Sequence, residues 1–174
     1  MGGEFCRTLP PKKKWAVRAQ TKLTINMILF VTVLLNDIFE QERDYPLVRP
    51  DKCLNCGHHK VWGNGFVSRL FEGFSSPLLM KCYRCPHCGC VITLRPDTHF
   101  SRFQSPVKTI RSRLEHRINK GKWGAPFPLV SCCRHWLVNL RHKIKIYLPK
   151  TWSLGEITAF DWFVEHGLVP VSTA

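Results

Sequence analysis

Two short cysteine motifs of identical form, Cys53-Leu54-Asn55-Cys56-Gly57 and Cys85-Pro86-His87-Cys88-Gly89, stand near the middle of the chain, with 28 residues between Cys56 and Cys85. Two thiolates spaced two residues apart grip one ion only if the backbone turns tightly between them. The residue that leaves such a turn tends to need positive φ, which glycine adopts at little cost. Two turns of this kind supply the four sulfur ligands of a closed tetrahedral site. The pattern therefore predicts one structural zinc ion held by Cys53, Cys56, Cys85 and Cys88.

Neighbouring residues offer alternative ligands. Cys82 makes a further Cys-x-x-Cys with Cys85, and Cys90 lies two residues beyond Cys88. The 85/88 pair is preferred because it alone repeats the first motif, glycine included, and Cys82 and Cys90 are read as small apolar packing residues. His58, His59 and His87 are read as solvent-facing side chains or hydrogen-bond donors. The chain has nine cysteines, an odd count, with six of them between Cys53 and Cys90. That distribution suits metal capture in a reducing cytoplasm better than a secreted disulfide scaffold.

The residues between the motifs read as strands. Lys60–Arg69 and Leu78–Arg84 flank a turn-rich stretch, Phe71-Glu72-Gly73-Phe74-Ser75-Ser76-Pro77, and Val91–Leu94 follows the second motif. Knuckle, hairpin, knuckle, strand is the order of an antiparallel zinc ribbon. A sheet this small buries little apolar surface, so the metal is expected to contribute much of its folding free energy. Four thiolates leave no open coordination position, and the chain contains neither His-x-Glu nor His-Glu-x-x-His. A non-enzymatic role is expected on that ground.

Charge identifies a class of partner. Lys and Arg number 26 against 12 Asp and Glu, for a formal +14. An excess of this size favours polyanions: DNA, RNA or an anionic membrane surface. It is also concentrated, because residues 101–150 hold twelve Lys or Arg and a single acid, Glu115. Within that stretch Ser105-Pro106 reads as a helix start. Val107, Ile110, Leu114 and Ile118 then form one apolar stripe. Gly121 and the segment Trp123-Gly124-Ala125-Pro126-Phe127-Pro128 end this helix. A second helix carries Cys133, Trp136, Leu137, Leu140, Ile144 and Leu148 on one side and Arg134, Arg141 and Lys145 on another. The pair resembles a helix-turn-helix, although the joining segment is longer than the turn of that motif. Arg111, Arg117, Arg134, Arg141 and Lys145 are the candidate phosphate contacts. The vicinal Cys132-Cys133 pair is read as packing. A third helix is expected from a capping box at Ser153-Leu154-Gly155-Glu156 to Gly167, with Ile157, Phe160, Phe163, Val164 and Leu168 inward.

Ahead of the cysteine motifs, residues 1–24 read as a basic leader with Pro10-Pro11 and Lys12, Lys13 and Lys14. Met27 is a second candidate start, which would make that leader non-native. Ile25–Gln41 is one apolar-to-acidic element. Its apolar run Ile25–Leu35 is too short to span a bilayer, and with the basic residues upstream it only faintly imitates a signal peptide, so a buried strand or helix in a cytoplasmic protein is expected. A linker with two prolines, Tyr45–Pro50, follows. The expected class is α+β: a leader and apolar element over 1–44, a small antiparallel zinc ribbon over 45–104, and a basic three-helix region over 105–174.

The stretch from Pro50 to about Pro106 resembles the zinc ribbons of bacterial transposon-encoded proteins. The residues that carry the likeness are CLNCG, the Trp62-Gly63-x-Gly65 strand, and the block KCYRCPHCGCVITLRPD leading into Phe100-Ser101-Arg102-Phe103. The span from about 45 to 172 looks like small uncharacterised members of that group, in which helix-turn-helix-like helices follow the ribbon. The resemblance implies DNA binding at element ends, or an accessory role beside a transposase or neighbouring mobile-element protein. A transposase of the DDE type also needs an RNase H-like domain with three metal-binding carboxylates. Only Asp97, Glu115, Glu156, Asp161 and Glu165 follow the ribbon here. The resemblance thus implies a recognition part without the nuclease. The alternative is a zinc-stabilised protein–protein adaptor docking through Trp123, Trp136, Trp152 and Trp162, and RNA is an alternative polyanion.

Overall fold

The computed structural model describes residues 25–124 and 130–173. The basic leader with Lys12–Lys14, and the part of the joining segment at 125–129, lie outside them. The fold is α+β, with a four-stranded mixed sheet and four helices in the order β1 (Asn26–Val31), α1 (Leu35–Gln41), β2 (Trp62–Arg69), β3 (Leu78–Arg84), β4 (Val91–Pro96), α2 (Val107–Lys120), α3 (Val130–Tyr147) and α4 (Glu156–Glu165).

The three strands expected around the cysteine motifs form β2, β3 and β4. They pair antiparallel, with a register shift in β2 between Gly63 and Phe66. The sheet as a whole is not antiparallel, because β1 adds parallel to β4, with Asn26 opposite Val91 and Val31 opposite Pro96. Parallel neighbours need a long crossover, and here everything from α1 to β3 lies between the two strands. The apolar run that starts at Ile25 is thereby explained as an edge strand. Ile25–Gln41 is two elements rather than one: the strand ends at Val31, and α1 begins at Leu35 and buries Ile38 against the sheet.

Apolar side chains gather into two clusters. One holds Ile38, Val61, Phe71, Leu78, Met80, Tyr83, Ile92 and Leu94 together with Cys53, Cys85 and Cys90. The other is built from the inward faces of α2, α3 and α4, with Ile110, Leu114, Trp136, Leu140, Phe160 and Phe163 at its centre. The stripes expected on these helices are buried in this cluster or packed half-buried against it, except for Val164, which is 37% exposed. Polar contacts join the two halves. The Arg95 guanidinium donates to the carbonyls of Phe100 and Phe103, the Glu72 N–H donates to the Gln104 carbonyl at 2.9 Å, and the Arg113 guanidinium clasps the Glu72 carboxylate.

Both expected helix starts differ in detail. For α2 the flanking residue is Pro106, not Ser105, and no side chain caps it. Ser105 is buried, and its hydroxyl is hydrogen-bonded to the Glu72 side chain. The capping box at Ser153–Glu156 does not form. Gly155 flanks α4 without a side-chain cap, and Glu156 accepts instead from Arg141 Nε at 2.7 Å. A charged guanidinium is a stronger partner for a carboxylate than a backbone amide. The stop at Gly167 is as expected. Leu168 N–H reaches the Phe163 carbonyl at 2.8 Å and Gly167 N–H reaches Val164 at 3.0 Å, the paired bonds of a Schellman motif.

Candidate metal centre and cationic face

The two cysteine motifs adopt the same backbone geometry. In the first, Gly57 N–H donates to the Cys53 carbonyl at 2.9 Å and Cys53 N–H donates to the His58 carbonyl at 2.8 Å. In the second, Gly89 N–H donates to Cys85 at 3.0 Å and Cys85 N–H to Cys90 at 2.9 Å. Gly57 and Gly89 have φ of 72° and 74°, and a Cβ at either would meet no atom within 4 Å. Glycine is therefore required for conformation and not for space. Each turn points its two sulfurs at the other turn.

The ligand atoms of Cys53, Cys56, Cys85 and Cys88 all lie within 4.8 Å of one another. Across the two turns Cys53 Sγ is 3.6 Å from Cys88 Sγ, and Cys56 Sγ is 3.6 Å from Cys85 Sγ. A tetrahedron of sulfurs about an ion at ~2.3 Å has edges of about 3.8 Å, whereas a disulfide is about 2.05 Å long. All four thiols are free. Their separation fits a shared ion and excludes a pair of disulfides. Cys53 and Cys85 are buried in the sheet core, while Cys56 is exposed and Cys88 half-buried. The cluster thus sits at one end of the sheet with two ligands inside the core and two toward solvent.

The thiols are electrostatically unequal. Cys88 is pulled down to about 6, first by the backbone N–H of Cys90 and then by the Asn55 side chain. Cys56 is pushed up to about 12: the His58 backbone N–H opposes the rise, but burial and the neighbouring thiols of Cys88, Cys85 and Cys53 outweigh it. Four sulfurs this close cannot all ionise without a cation among them. Cys82 and Cys90 are not part of the group. Cys82 is buried with its thiol 3.5 Å from the Thr93 hydroxyl, and Cys90 is fully buried, its thiol raised to about 11 chiefly by that burial. His58 and His87 stack on one another at 5.4 Å between ring centres, where the tips of the two turns meet. The packing reading holds for the vicinal pair: Cys133 is fully buried in the helical cluster, and Cys132 packs half-buried against it.

The five candidate phosphate contacts do not share one environment. Arg111 is engaged within the fold, donating from Nε and Nη2 to Asp161 at 2.8 Å each and from Nη1 to Glu115 at 3.0 Å. Arg141 is held by Glu156. Two further cations of the same stretch are also structural. Arg113 is bound to Glu72, and the buried Lys143 ammonium donates to the Val169 carbonyl at 2.7 Å and the Ser172 hydroxyl at 2.8 Å. Arg117, Arg134 and Lys145 make no salt bridge among the described residues, and Arg134 and Lys145 are exposed.

Arg117 and Arg134 meet at a concavity of about 510 Å³ between α2 and α3, lined also by Lys122, Trp123, Leu137 and Val138, with Arg141 at its edge. The Arg117 guanidinium lies over the Trp123 ring, 5.6 Å from its centre. Lys122 and Trp123 are the members that the helical pattern does not reveal, because they follow the Gly121 cap and belong to no periodic stripe. A Lys-Trp pair directly after a helix stop, in a chain this basic, is the available signal. Of the other tryptophans of the helical region, Trp136 is buried, and Trp152 and Trp162 pack half-buried on the helical cluster.

A larger cleft of about 910 Å³ runs between α1 and the ends of α2 and α4, with Leu34, Phe74, Val107 and Leu168 among its walls. His99 lies against it, 2% exposed, edge-on to Phe71 and hydrogen-bonded through Nδ1 to the Thr98 hydroxyl at 2.9 Å. Burial, helped by the nearby Arg95 charge, depresses its pKa from 6.5 to about 4. The folded state therefore resists protonating a group that the unfolded chain protonates below about 6.5. The stability this supplies is complete above that value and is lost as pH falls toward 4. Integrating between the two values gives a loss of about 2 kcal/mol from pH 7.5 to pH 5. Denaturant titrations of the wild type and of His99→Leu at the two pH values should differ in pH dependence by that amount; equal slopes would place the imidazole in contact with solvent.

Among the described residues no helix is long and apolar enough to cross a membrane. No protein family, no curated protein and no solved structure matches the chain.

Proposed function

We propose that this chain is a non-enzymatic zinc-ribbon protein that binds nucleic acid, as a DNA-binding accessory or recognition part for a mobile genetic element. The zinc sits among Cys53, Cys56, Cys85 and Cys88 and serves structure alone, since four thiolates complete its tetrahedron. The contact surface is the α2–α3 face, and α2, α3 and α4 form its basic helical support. The observation that carries this reading is the sorting of charge after residue 101. Arg111, Arg113, Arg141 and Lys143 are consumed by internal carboxylates and carbonyls. Arg117, Lys122, Arg134 and Lys145 have no carboxylate partner among the described residues and lie on α2, α3 or the turn after α2. Uncompensated cations on one face cost self-repulsion unless a polyanion relieves it. The link to a mobile element rests on the resemblance of the Pro50–Pro106 stretch.

Fluorescence anisotropy with a labelled duplex tests the reading. Binding should weaken steeply with salt, because each neutralised phosphate releases condensed counterions. Arg134→Gln and Lys145→Gln should each lower the slope of log K against log salt by about 1. Arg111→Gln should leave that slope unchanged and act on stability. Undetectable binding to duplex and single strand alike, or binding that ignores salt, rules the proposal out.

A further inference from the structure

We propose that the concavity between α2 and α3 receives an unpaired nucleobase, so that the protein recognises single-stranded or locally unpaired nucleic acid in preference to uninterrupted duplex. This rests on the nucleic-acid reading above. Contact with duplex phosphates needs only a convex row of cations. The site here has a different form. It is a hollow of about 510 Å³ whose walls include the Trp123 ring and the side chains of Leu137 and Val138. Val138 is 63% exposed and shares the lining with Arg117, Arg134 and Arg141.

Such a combination of apolar walls and surrounding positive charge matches a flat, uncharged base that carries a phosphate on either side. Aromatic and guanidinium planes are the surfaces on which unstacked bases rest. The Arg117 guanidinium lies over the Trp123 ring, 5.6 Å from its centre, so a cation and an aromatic surface stand side by side at the hollow. Arg134, on α3, and Lys122, at the end of the α2 turn, stand on the rim where flanking phosphates would lie. The Glu156 carboxylate holds Arg141 at the edge at 2.7 Å. A base within an intact duplex is stacked on both faces and cannot enter such a hollow; a single strand offers one at every position. The volume of the hollow lies within the usual range of small-ligand sites, about 300–1,000 Å³.

The test compares an oligothymidylate strand, a blunt duplex of equal phosphate number and poly-glutamate as ligands of the full chain. The single strand should bind at least tenfold tighter than the duplex, with poly-glutamate far weaker than either. Trp123→Ala should reduce single-strand affinity about tenfold, in line with the loss of one stacking surface, and Trp123→Phe should restore most of it. Because Trp123 also packs on the helical cluster, Val138→Glu provides a variant at an exposed position that closes the hollow to a base; it should collapse the preference for single strand. If duplex binds as well as single strand, and neither Trp123→Ala nor Val138→Glu alters their ratio, the base pocket is wrong while nucleic-acid binding stands. If poly-glutamate competes equally, the face recognises acidic protein and the base pocket is wrong. If no nucleic acid binds, the underlying functional reading fails with it.

Discussion

Stripping the metal from the folded protein should abolish the sheet and leave most of the helical signal. A structural zinc site of four thiolates contributes on the order of 10 kcal/mol to folding at neutral pH, more than a sheet of this size can replace by burial. Two ligands, Cys53 and Cys85, are themselves buried members of the sheet cluster. Losing the ion would leave mutually repelling or unsatisfied thiols inside that cluster. The helices have a separate cluster centred on Ile110, Leu140, Phe160 and Phe163, so their far-ultraviolet signature should outlast the sheet. The expected measurements are one zinc per chain, loss of protease resistance across 25–104 on chelation, and the same loss in Cys53→Ser and Cys85→Ser. Cys82→Ser should keep its zinc, since that thiol faces Thr93 and not the cluster. Full stability in a variant with all four ligands replaced by serine would show that the cysteines are packing residues and nothing more.

How far the residues announce this arrangement depends on the range of the interaction involved. The repeated Cys-x-x-Cys-Gly turns and the strands between them are local, because turn geometry and period-2 alternation act over a few residues. They are legible without a structure. So are the inward faces of α2 and α3, where the 3.6-residue period names Ile110, Leu114, Trp136 and Leu140 directly. The parallel docking of β1 on β4 is not legible. Its partner lies some 65 positions away, and no short-range pattern distinguishes an edge strand from the start of an apolar helix. The same limit applies to charge. Composition reveals an excess of cations after residue 101 but not which of them are spent. Arg111 and Asp161 are fifty positions apart, and only the packing of α2 on α4 brings them together. The missing caps at Ser105 and Ser153 have the same origin. Local capping chemistry is worth about 1 kcal/mol, and at both sites a distant ionic partner, Arg113 through Glu72 in one case and Arg141 in the other, draws the carboxylate or hydroxyl away.

Glu72→Gln should lower stability by about 2–3 kcal/mol, an unusually large effect for a residue in a turn between two strands. Its carboxylate is held by the Arg113 guanidinium, which projects from α2 and is 8% exposed, while Glu72 itself is 26% exposed. Removing one partner of a buried pair costs about 3–5 kcal/mol, because the other charge loses its counter-ion. The partial exposure of Glu72 reduces that figure. Arg113→Met should cost less, since the carboxylate it abandons retains access to water and the Ser105 hydrogen bond. The double variant should be less damaged than the sum of the two, by 1 kcal/mol or more in a double-mutant cycle, as expected of residues that act through each other. pH provides an independent check. Burial raises the Glu72 pKa, but hydrogen bonds from Arg113 and Ser105 and the Arg113 charge outweigh it and hold the carboxyl below its usual 4.5. A carboxyl depressed on folding stabilises the native state above its unfolded value and loses that contribution as pH falls through the folded one. The wild type should therefore lose stability below about pH 4.5 more steeply than Glu72→Gln. Parallel acid limbs in the two proteins would mean that the pair is not formed in solution. In that case the Arg95 contacts and the backbone bond from Glu72 to Gln104 would remain to tie the sheet to the helices.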